Sequence, residues 1–388
     1  MGLVAKDLEQ TFLSLGIPLA DYGLADKSGI IFKSSFRNPK IFSNSKKKKN
    51  NIFRMASMSK IITAFLTLSI LEEKNISVHE TVVKYLPELK NVKLANLKDK
   101  VVQLSKINNN ITFHQLLNCT SGHGYEHHHE PISQLVKKKY LSPMKIGDDQ
   151  FLKAPLISLP GKSWNYGVSY GWLGKAIEAI TNESLNGNLK KYVTQPLGLK
   201  NTTFDFNEVD ASKVVPVFFK DSTNQFVDIS DKINIGKGDF HYGGGGLLSS
   251  LEDYLKFLTL FLNEGPVHSR CPKKEKIIDK ILTNQIGKLV VKPLKSFNKT
   301  LVLDYNLYPK IKKKWGYGLL LNIDPLKERR SQGSGSWAGV LNTYFWIDKR
   351  KGTVGAILMQ SLPCYDENAL KAFEEFEKIM YKQVFNKK

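Results

Sequence analysis

The chain reads as an α+β protein, with antiparallel strands near both ends and helices between and after them. Three observations predict this. Short alternating segments with turn residues between them run from Pro18 to Phe42, for example Gly29-Ile30-Ile31-Phe32, and read as two or three antiparallel strands. Near the other end, Val340–Ile347 and Thr353–Gln360 are joined by Asp348-Lys349-Arg350-Lys351-Gly352, an antiparallel hairpin. Between them one helix, opening at Ser57, carries Ile61, Ile62, Ala64, Phe65, Leu66, Leu68, Ile70 and Leu71 on nearly every face. A helix apolar all round belongs in the middle of a core.

The remaining elements follow in order. Leu3, Val4, Leu8, Phe12 and Leu13 mark a short amphipathic helix over residues 3–16. Ser43 to Asn51 is a polar, lysine-rich loop leading into the Ser57 helix, which Glu72-Glu73-Lys74-Asn75 end with solvent-facing polarity. Val82 to Pro87 is a short connecting helix. Thr112 caps a helix through Leu117 that runs into the tight loop Cys119-Thr120-Ser121-Gly122. Residues 123–165 are irregular and rich in His, Lys, Gly and Pro, as a substrate-facing flap or an insertion would be. A turn-rich approach, Ser158 to Gly167, precedes a helix with Tyr170, Leu173, Ile177 and Ile180 at helical spacing. Gly171 and Gly174 let that helix pack closely on one side.

Pro196-Leu197-Gly198-Leu199 closes another helix, and Thr202-Thr203-Phe204 starts a strand-rich excursion to about residue 236. Gly243 to Gly246, after Tyr242, permit positive φ and close backbone approach. A phosphate cradle is a weak reading of them, because no strand clearly precedes and no Lys-Ser/Thr follows. Ser249-Ser250-Leu251-Glu252 is a capping box whose helix stops at Gly265-Pro266. Residues 267–311 are basic and mixed, with no assignable element. Trp315 to Leu321 reads as a strand, Ser331 to Ser336 as a Gly/Ser loop, and Leu370, Phe373, Phe376, Met380 and Val384 as one face of a last helix.

Composition narrows the class. The 388 residues are 41% hydrophobic and 11% aromatic, enough for a large packed core. Cys119, Cys271 and Cys364 are odd in number and widely spaced, so they suggest neither a disulfide framework nor a zinc site and fit a reducing compartment. Residues 1–16 lack the pattern of a signal peptide, Lys6 breaks the myristoylation pattern after Gly2, and no apolar run would span a bilayer. The expectation is a soluble, cytoplasmic protein.

The balance of 57 Lys+Arg against 36 Asp+Glu gives a net charge of +21. Much of it lies in the runs Lys46–Lys49, Lys137–Lys139 and Lys312–Lys314. These lack arginine and interleaved aromatics, which argues for a solvated surface over nucleic-acid binding. Attraction to anionic donors such as acyl-CoA or an acyl-carrier protein is the functional alternative. His123 and the run His127-His128-His129-Glu130 raise a metal site. Adjacent loop histidines point apart and no second ligand cluster follows, so the expectation is exposed histidines, no metal and no cofactor.

The chemistry concentrates in Phe53-Arg54-Met55-Ala56-Ser57-Met58-Ser59-Lys60. Ser57 and Lys60 stand three apart at the start of the buried helix, hence on one face. The helix N-terminus favours developing negative charge, and burial lowers a lysine pKa toward the range where it takes a proton. Ser-x-x-Lys is thus a nucleophile beside its own base. A helix cap with a snorkelling lysine is the bland alternative, but such a pair has no reason to open the core helix.

This stretch resembles the active-site helix of the serine β-lactamase-like and penicillin-binding-protein-like superfamily. Leu116-Leu117-Asn118-Cys119-Thr120-Ser121-Gly122, Pro160-Gly161 ahead of Tyr166, Pro196 to Phe204, and Gly243 to Asp253 are similar to further family phrases, in the same order. The resemblance covers roughly residues 20–385. It lies nearest the class C relatives, namely family VIII carboxylesterases and lovastatin-type acyltransferases.

The resemblance implies one catalytic unit over residues 1–388. Residues 1–75 and 240–388 would form the sheet region, 76–239 a mostly helical region, and the site would lie between them. It implies that Ser57 is acylated, that Lys60 and Tyr166 share the acid and base work, and that the third motif falls at Trp337-Ala338-Gly339 on the edge strand. The backbone N–H groups of Ser57 and Val340 would form the oxyanion hole.

Three departures from the family stand out. Tyr166-Gly167-Val168 replaces Tyr-x-Asn, Trp337 replaces a Lys or His, and Cys119, a small buried residue, replaces a His. Trp337 offers an apolar plate and one N–H donor where a cation would bind a carboxylate. The expected function is therefore serine acyl-enzyme chemistry on a neutral ester or thioester, with water or an alcohol as acceptor. A non-catalytic scaffold and β-lactam or peptide chemistry are the alternatives. Hydrolase and transferase are not separated at this level, and the oligomeric state is not indicated.

Overall fold

The computed structural model describes residues 2–42, 51–108, 110–235, 237–263 and 274–385. The run Lys46–Lys49, Cys271, the Gly265-Pro266 stop and the side chains of Leu3 and Val384 lie outside the described residues. The centre is a seven-stranded antiparallel sheet that joins the two chain ends. Its strands are β1 (Leu19–Asp26), β2 (Gly29–Arg37), β3 (Lys313–Trp315), β4 (Leu320–Asn322), β5 (Gly335–Gly339), β6 (Thr343–Asp348) and β7 (Thr353–Leu358). They lie in the order β2-β1-β7-β6-β5-β4-β3. β1 pairs with β7 through Leu24↔Gly355, which closes N-terminal onto C-terminal sequence.

Helices cover both faces. The strand period of two sends alternate side chains to opposite sides. Tyr22 meets Phe12 of α1 (Gly2–Ser14) and Phe376 of α8 (Glu367–Phe385), with ring centroids 5.1 and 5.4 Å away. Tyr344 stacks on Phe373 of α8 at 4.7 Å. Their neighbour Phe345 points the other way, to Tyr254 of α6 (Leu251–Thr259), 5.8 Å away. Beyond α6 lies α2 (Ser59–Glu73), buried without a break from Ser59 to Leu71. It also packs on α5 (Ser169–Thr181) and α7 (Lys274–Ile281). α3 (Phe113–Leu117) starts at a reciprocal capping box between Thr112 and Gln115. α4 (Glu130–Lys137) lies inside the segment read as irregular.

Several sequence expectations change. Residues 202–235 are mostly irregular, with three single 3-10 turns and one short hairpin, Phe218–Lys220 and Phe226–Asp228. The Asp205, Asp210 and Asp228 carboxylates accept from the backbone two residues on, and this local bonding competes with strand formation. Trp315 to Leu321 is two strands, not one. Gly318 breaks it at φ +84, with the Lys60 carbonyl 2.9 Å from where a Cβ would stand. β5 begins inside the Gly/Ser loop at Gly335. The hairpin Lys93–Lys98 and Val101–Lys106 was not anticipated.

The approach to β5 is fastened to α8 by a buried ion pair. Arg330 Nε donates to Glu377 Oε1 at 2.6 Å with both side chains fully buried, and Arg330 Nη2 donates to the Tyr308 hydroxyl. Breaking such a pair leaves an uncompensated buried charge. Glu377→Leu should therefore cost about 3–5 kcal/mol. Urea unfolding is the measurement. The double variant Arg330→Met/Glu377→Leu should recover most of the loss, and a single-variant loss below about 1 kcal/mol would contradict this account.

Candidate active site

Ser57 sits in a single 3-10 turn, Ala56–Met58, just ahead of α2 rather than inside its first turn. Ala56 stands at φ +48, a conformation that costs a non-glycine residue about 1–3 kcal/mol. Surrounding contacts hold it there. Ser59 Oγ donates to the Ala56 carbonyl at 2.5 Å and accepts from Leu247 N at 3.2 Å. Tyr254 Oη donates to the Met58 carbonyl at 3.0 Å. β5 passes alongside so closely that a Cβ on Gly339 would meet the Met55 carbonyl at 2.5 Å.

Lys60 has no exposed surface. Its Nζ lies 3.0 Å from Ser57 Oγ, 3.1 Å from Tyr125 Oη and 2.7 Å from the Gly244 carbonyl. Burial pushes its pKa down to about 7, so the free amine is accessible near neutrality. The thiol of Cys119 is close enough to act on Lys60 electrostatically, but burial holds it neutral, pushed up to about 12.

The Tyr166 hydroxyl accepts from Trp337 Nε1 at 2.9 Å, and Ser57 lies near enough to both the Tyr166 and the Tyr125 phenols to influence their ionisation. Burial holds both the Tyr166 and the Tyr125 phenol well above the usual tyrosine range, so both keep their protons. Of the candidate residues, Ser57, Lys60 and Tyr166 converge. Val340 lines the same cavity as Ser57. Trp337 instead lies in an aromatic cluster with Tyr166 and Trp315, its ring 5.0 and 4.6 Å from theirs. Its N–H is given to Tyr166. β5 is not the edge strand expected: β6 pairs along its whole length and β4 pairs with Gly335 and Ser336 on the other side, and only from Trp337 to Gly339 does that second side lack a strand partner among the described residues.

Sequence reasoning missed Tyr125 and Tyr242, whose hydroxyls are 2.6 Å apart, and the Gly244 carbonyl. It read the glycine run for positive φ, but none of Gly243 to Gly246 has it. Close approach is what the run provides. Thr63 Oγ1 donates to the Gly243 carbonyl at 2.7 Å, and a Cβ on Gly244 would meet Tyr242 Oη at 2.5 Å.

The histidines expected to be exposed are largely buried. His127 stacks on Tyr125 at 4.8 Å. His128 donates Nδ1–H to the Lys295 carbonyl at 3.0 Å. His129 donates Nε2–H to the Tyr166 carbonyl at 3.0 Å, fixing the backbone of that phenol. Burial pushes His128 and His129 down to about 4, so both stay neutral, His128 within electrostatic reach of Lys60. The wall around Ser57 is a cavity of about 300 Å³ whose apolar side includes Ile146, Ile233, Ile235, Leu341 and Leu362.

Residues 14–376 match the family model described as Beta-lactamase. The chain belongs to the Beta-lactamase family. It is 26% identical over 340 residues to ML-236A carboxylate methylbutanoyltransferase of Penicillium citrinum, covering 85% of this chain and 81% of that protein. It is 24% identical over 342 residues to lovastatin esterase of Penicillium rubens, covering 81% and 80%. The solved structure of unliganded simvastatin synthase from Aspergillus terreus superposes with a TM-score of 0.82 at 22% identity, over 99% of this chain and 98% of that one. The sheet and helices above are thus the Beta-lactamase family fold.

In this Beta-lactamase family member, pH should act on Ser57 through Lys60. Below pH 7 the amine holds its proton and cannot take another; above it the amine is free. Labelling of Ser57 by a fluorophosphonate probe should therefore rise with pH, half-maximal near 7, and reach a plateau. Lys60→Met should slow labelling by at least about 100-fold and flatten the profile. A flat wild-type profile would exclude Lys60 as the base.

Proposed function

We propose that the chain is a serine acyl-transfer enzyme, a carboxylesterase or acyltransferase for neutral esters or thioesters. One observation carries the reading: a serine hydroxyl bonded to a buried amine with pKa near 7, facing an apolar cavity. Ser57 Oγ attacks the acyl carbonyl as Lys60 takes its proton. The Ser57 and Val340 N–H groups would hold the oxyanion, and Tyr166 gives its proton to the departing alkoxide or thiolate. The Lys60 ammonium restores the Tyr166 proton. The C–O or C–S bond breaks and the Ser57 ester remains. Water or an alcohol then attacks that ester, its proton passes back to Ser57, and the product carries the acyl group.

The substrate class follows from the lining. The apolar wall suits an acyl chain, and Trp337, its N–H given to Tyr166 and its ring outside the cavity lining, offers no cation to recognise a carboxylate. Lys145 and Lys232 border the cavity, which favours a donor on an anionic carrier such as CoA or an acyl-carrier protein. Such thioester donors fit a cytoplasmic setting. The printed activities of the two similar fungal proteins, a methylbutanoyltransferase and an esterase, support the same class.

Incubation with p-nitrophenyl butyrate tests the proposal. Wild type should release p-nitrophenol and carry a butyryl adduct on Ser57 by mass spectrometry. Ser57→Ala should lose at least about 1,000-fold in kcat/KM. Tyr166→Phe should lose roughly 100-fold in kcat with KM little changed. Nitrocefin should turn over far more slowly than the ester. Absence of both release and adduct would overturn the proposal.

A further inference from the structure

Large apolar side chains are exposed at nine described positions, and four of them gather in one place: Leu97 (38%), Val101 (52%), Leu104 (48%) and Tyr140 (75%). The first three belong to the hairpin Lys93–Lys98 and Val101–Lys106, which turns at Asp99 and Lys100 with φ +49 and +62. Positive φ at both central residues marks a tight two-residue turn, so the tip is stiff. The base is pinned, since Ala95 N donates to the Leu156 carbonyl at 2.8 Å and Leu156 N donates to the Lys93 carbonyl at 2.8 Å. Register places Leu97 on the same hairpin face as Leu104, and Val101 beside Lys98 on the opposite face, so the hairpin end is apolar on both sides. Leu104 and Tyr140 line one groove of about 500 Å³.

Charge surrounds this apolar patch. Lys98 and Lys100 flank the tip, and Lys137, Lys138 and Lys139 immediately precede Tyr140; all five are exposed. Among the described residues none of them is in an ion pair, and the two acids of the groove, Glu88 and Asp149, are both engaged by Lys175 at 3.8 and 2.8 Å. Five exposed lysines against the single acid at the tip, Asp99, leave a net positive surface around these apolar side chains, which matches a surface that is negative outside and hydrocarbon beneath.

We infer that the hairpin tip and Tyr140 form a docking surface for an anionic phospholipid bilayer, on which the protein lies without crossing. No helix among the described residues is long and apolar enough to cross one. α4 packs on the hairpin and continues directly from His127 and His128, which line the Ser57 cavity, so surface and cavity share one segment. This inference does not depend on the reaction proposed for that cavity.

Sedimentation of the full chain with lipid vesicles tests it. Binding is expected to phosphatidylcholine vesicles containing roughly 30% phosphatidylserine, with little to phosphatidylcholine alone and loss at high salt. Leu97→Ser/Val101→Ser/Leu104→Ser should lower partitioning at least about tenfold. Lys98→Gln/Lys100→Gln should weaken it about tenfold and reduce its salt dependence. Both variants should keep the wild-type unfolding curve. Failure to bind anionic vesicles, or binding untouched by both variants, overturns the inference. So does a wild-type dimer that the triple serine variant dissociates, which would make the patch a contact between copies of this chain.

Discussion

An amine with no exposed surface cannot be solvated by water in either protonation state, and the site is built around that constraint. Lys60 must satisfy its hydrogens inside the protein or lose its charge. Three oxygens stand within 3.1 Å of Nζ, enough for an ammonium with three donors. They are a carbonyl and two hydroxyls, with no carboxylate, so burial outweighs them and the pKa falls to about 7. The linkage has a definite sign. An unfolded lysine keeps its proton to about pH 10, so between 7 and 10 the unfolded chain binds more protons. Stability gains from Lys60 as pH rises through that window. The same burial that makes the residue a base thus weakens the fold at neutral pH, and the packing around α2 must offset it.

That packing explains why the partners come from distant parts of the chain. Ser57 precedes α2, Tyr125 follows α3, Tyr166 precedes α5 and Gly244 precedes α6. Each reaches Nζ or Ser57 only because a neighbouring backbone comes close. Gly318 lies against the Lys60 carbonyl from one side, and the Gly243–Gly246 run lies against Thr63 and Tyr242 from another. Tyr170 Oη donates to the Leu117 carbonyl at 2.7 Å, tying α5 to the end of α3 and so the Tyr166 side of the site to the Tyr125 side. The site exists only when these segments are docked together. Substitutions at the glycines would then act on chemistry through geometry, without touching a reacting atom.

Much of this was readable from residues. The apolar continuity of Ile61 to Leu71 marked α2 as the core helix, and Asp348 to Gly352 marked the β6–β7 turn. The capping box at Thr112 is a local rule, and the structure obeys it. What escaped notice depends on tertiary context. No spacing rule singles out Tyr125 in a histidine-rich stretch, because its role comes from meeting Lys60, sixty-five residues away in sequence. The histidines looked solvent-facing because polar residues in an irregular segment usually are. They are buried because the segment folds back on the site, where His129 and His128 bond to backbone carbonyls and His127 stacks on Tyr125. The 202–236 segment misled in the opposite sense. Thr202-Thr203-Phe204 suggested the start of a strand-rich run, whereas aspartates spaced along the segment close local turns with their own backbone.

The proton arrangement assigns different tasks to the two phenols. The Gly244 carbonyl only accepts, so one N–H of the free amine goes to it. The Trp337 N–H only donates, so it occupies the Tyr166 oxygen, and in the proposed reaction the Tyr166 proton is then free to turn toward Ser57 Oγ. Ser57 then has a donor on its oxygen and directs its own hydrogen to the Lys60 lone pair. The second N–H of Lys60 falls to Tyr125, which passes its hydrogen to Tyr242. In the proposed reaction Lys60 rather than either phenol would be the base, because burial keeps both phenols protonated. Tyr166 would be the acid in that reaction, and Tyr125 would orient the amine. The tryptophan at the third motif therefore does more than replace a cation. By fixing the direction of the Tyr166 proton, it decides which group gives a hydrogen and which receives one.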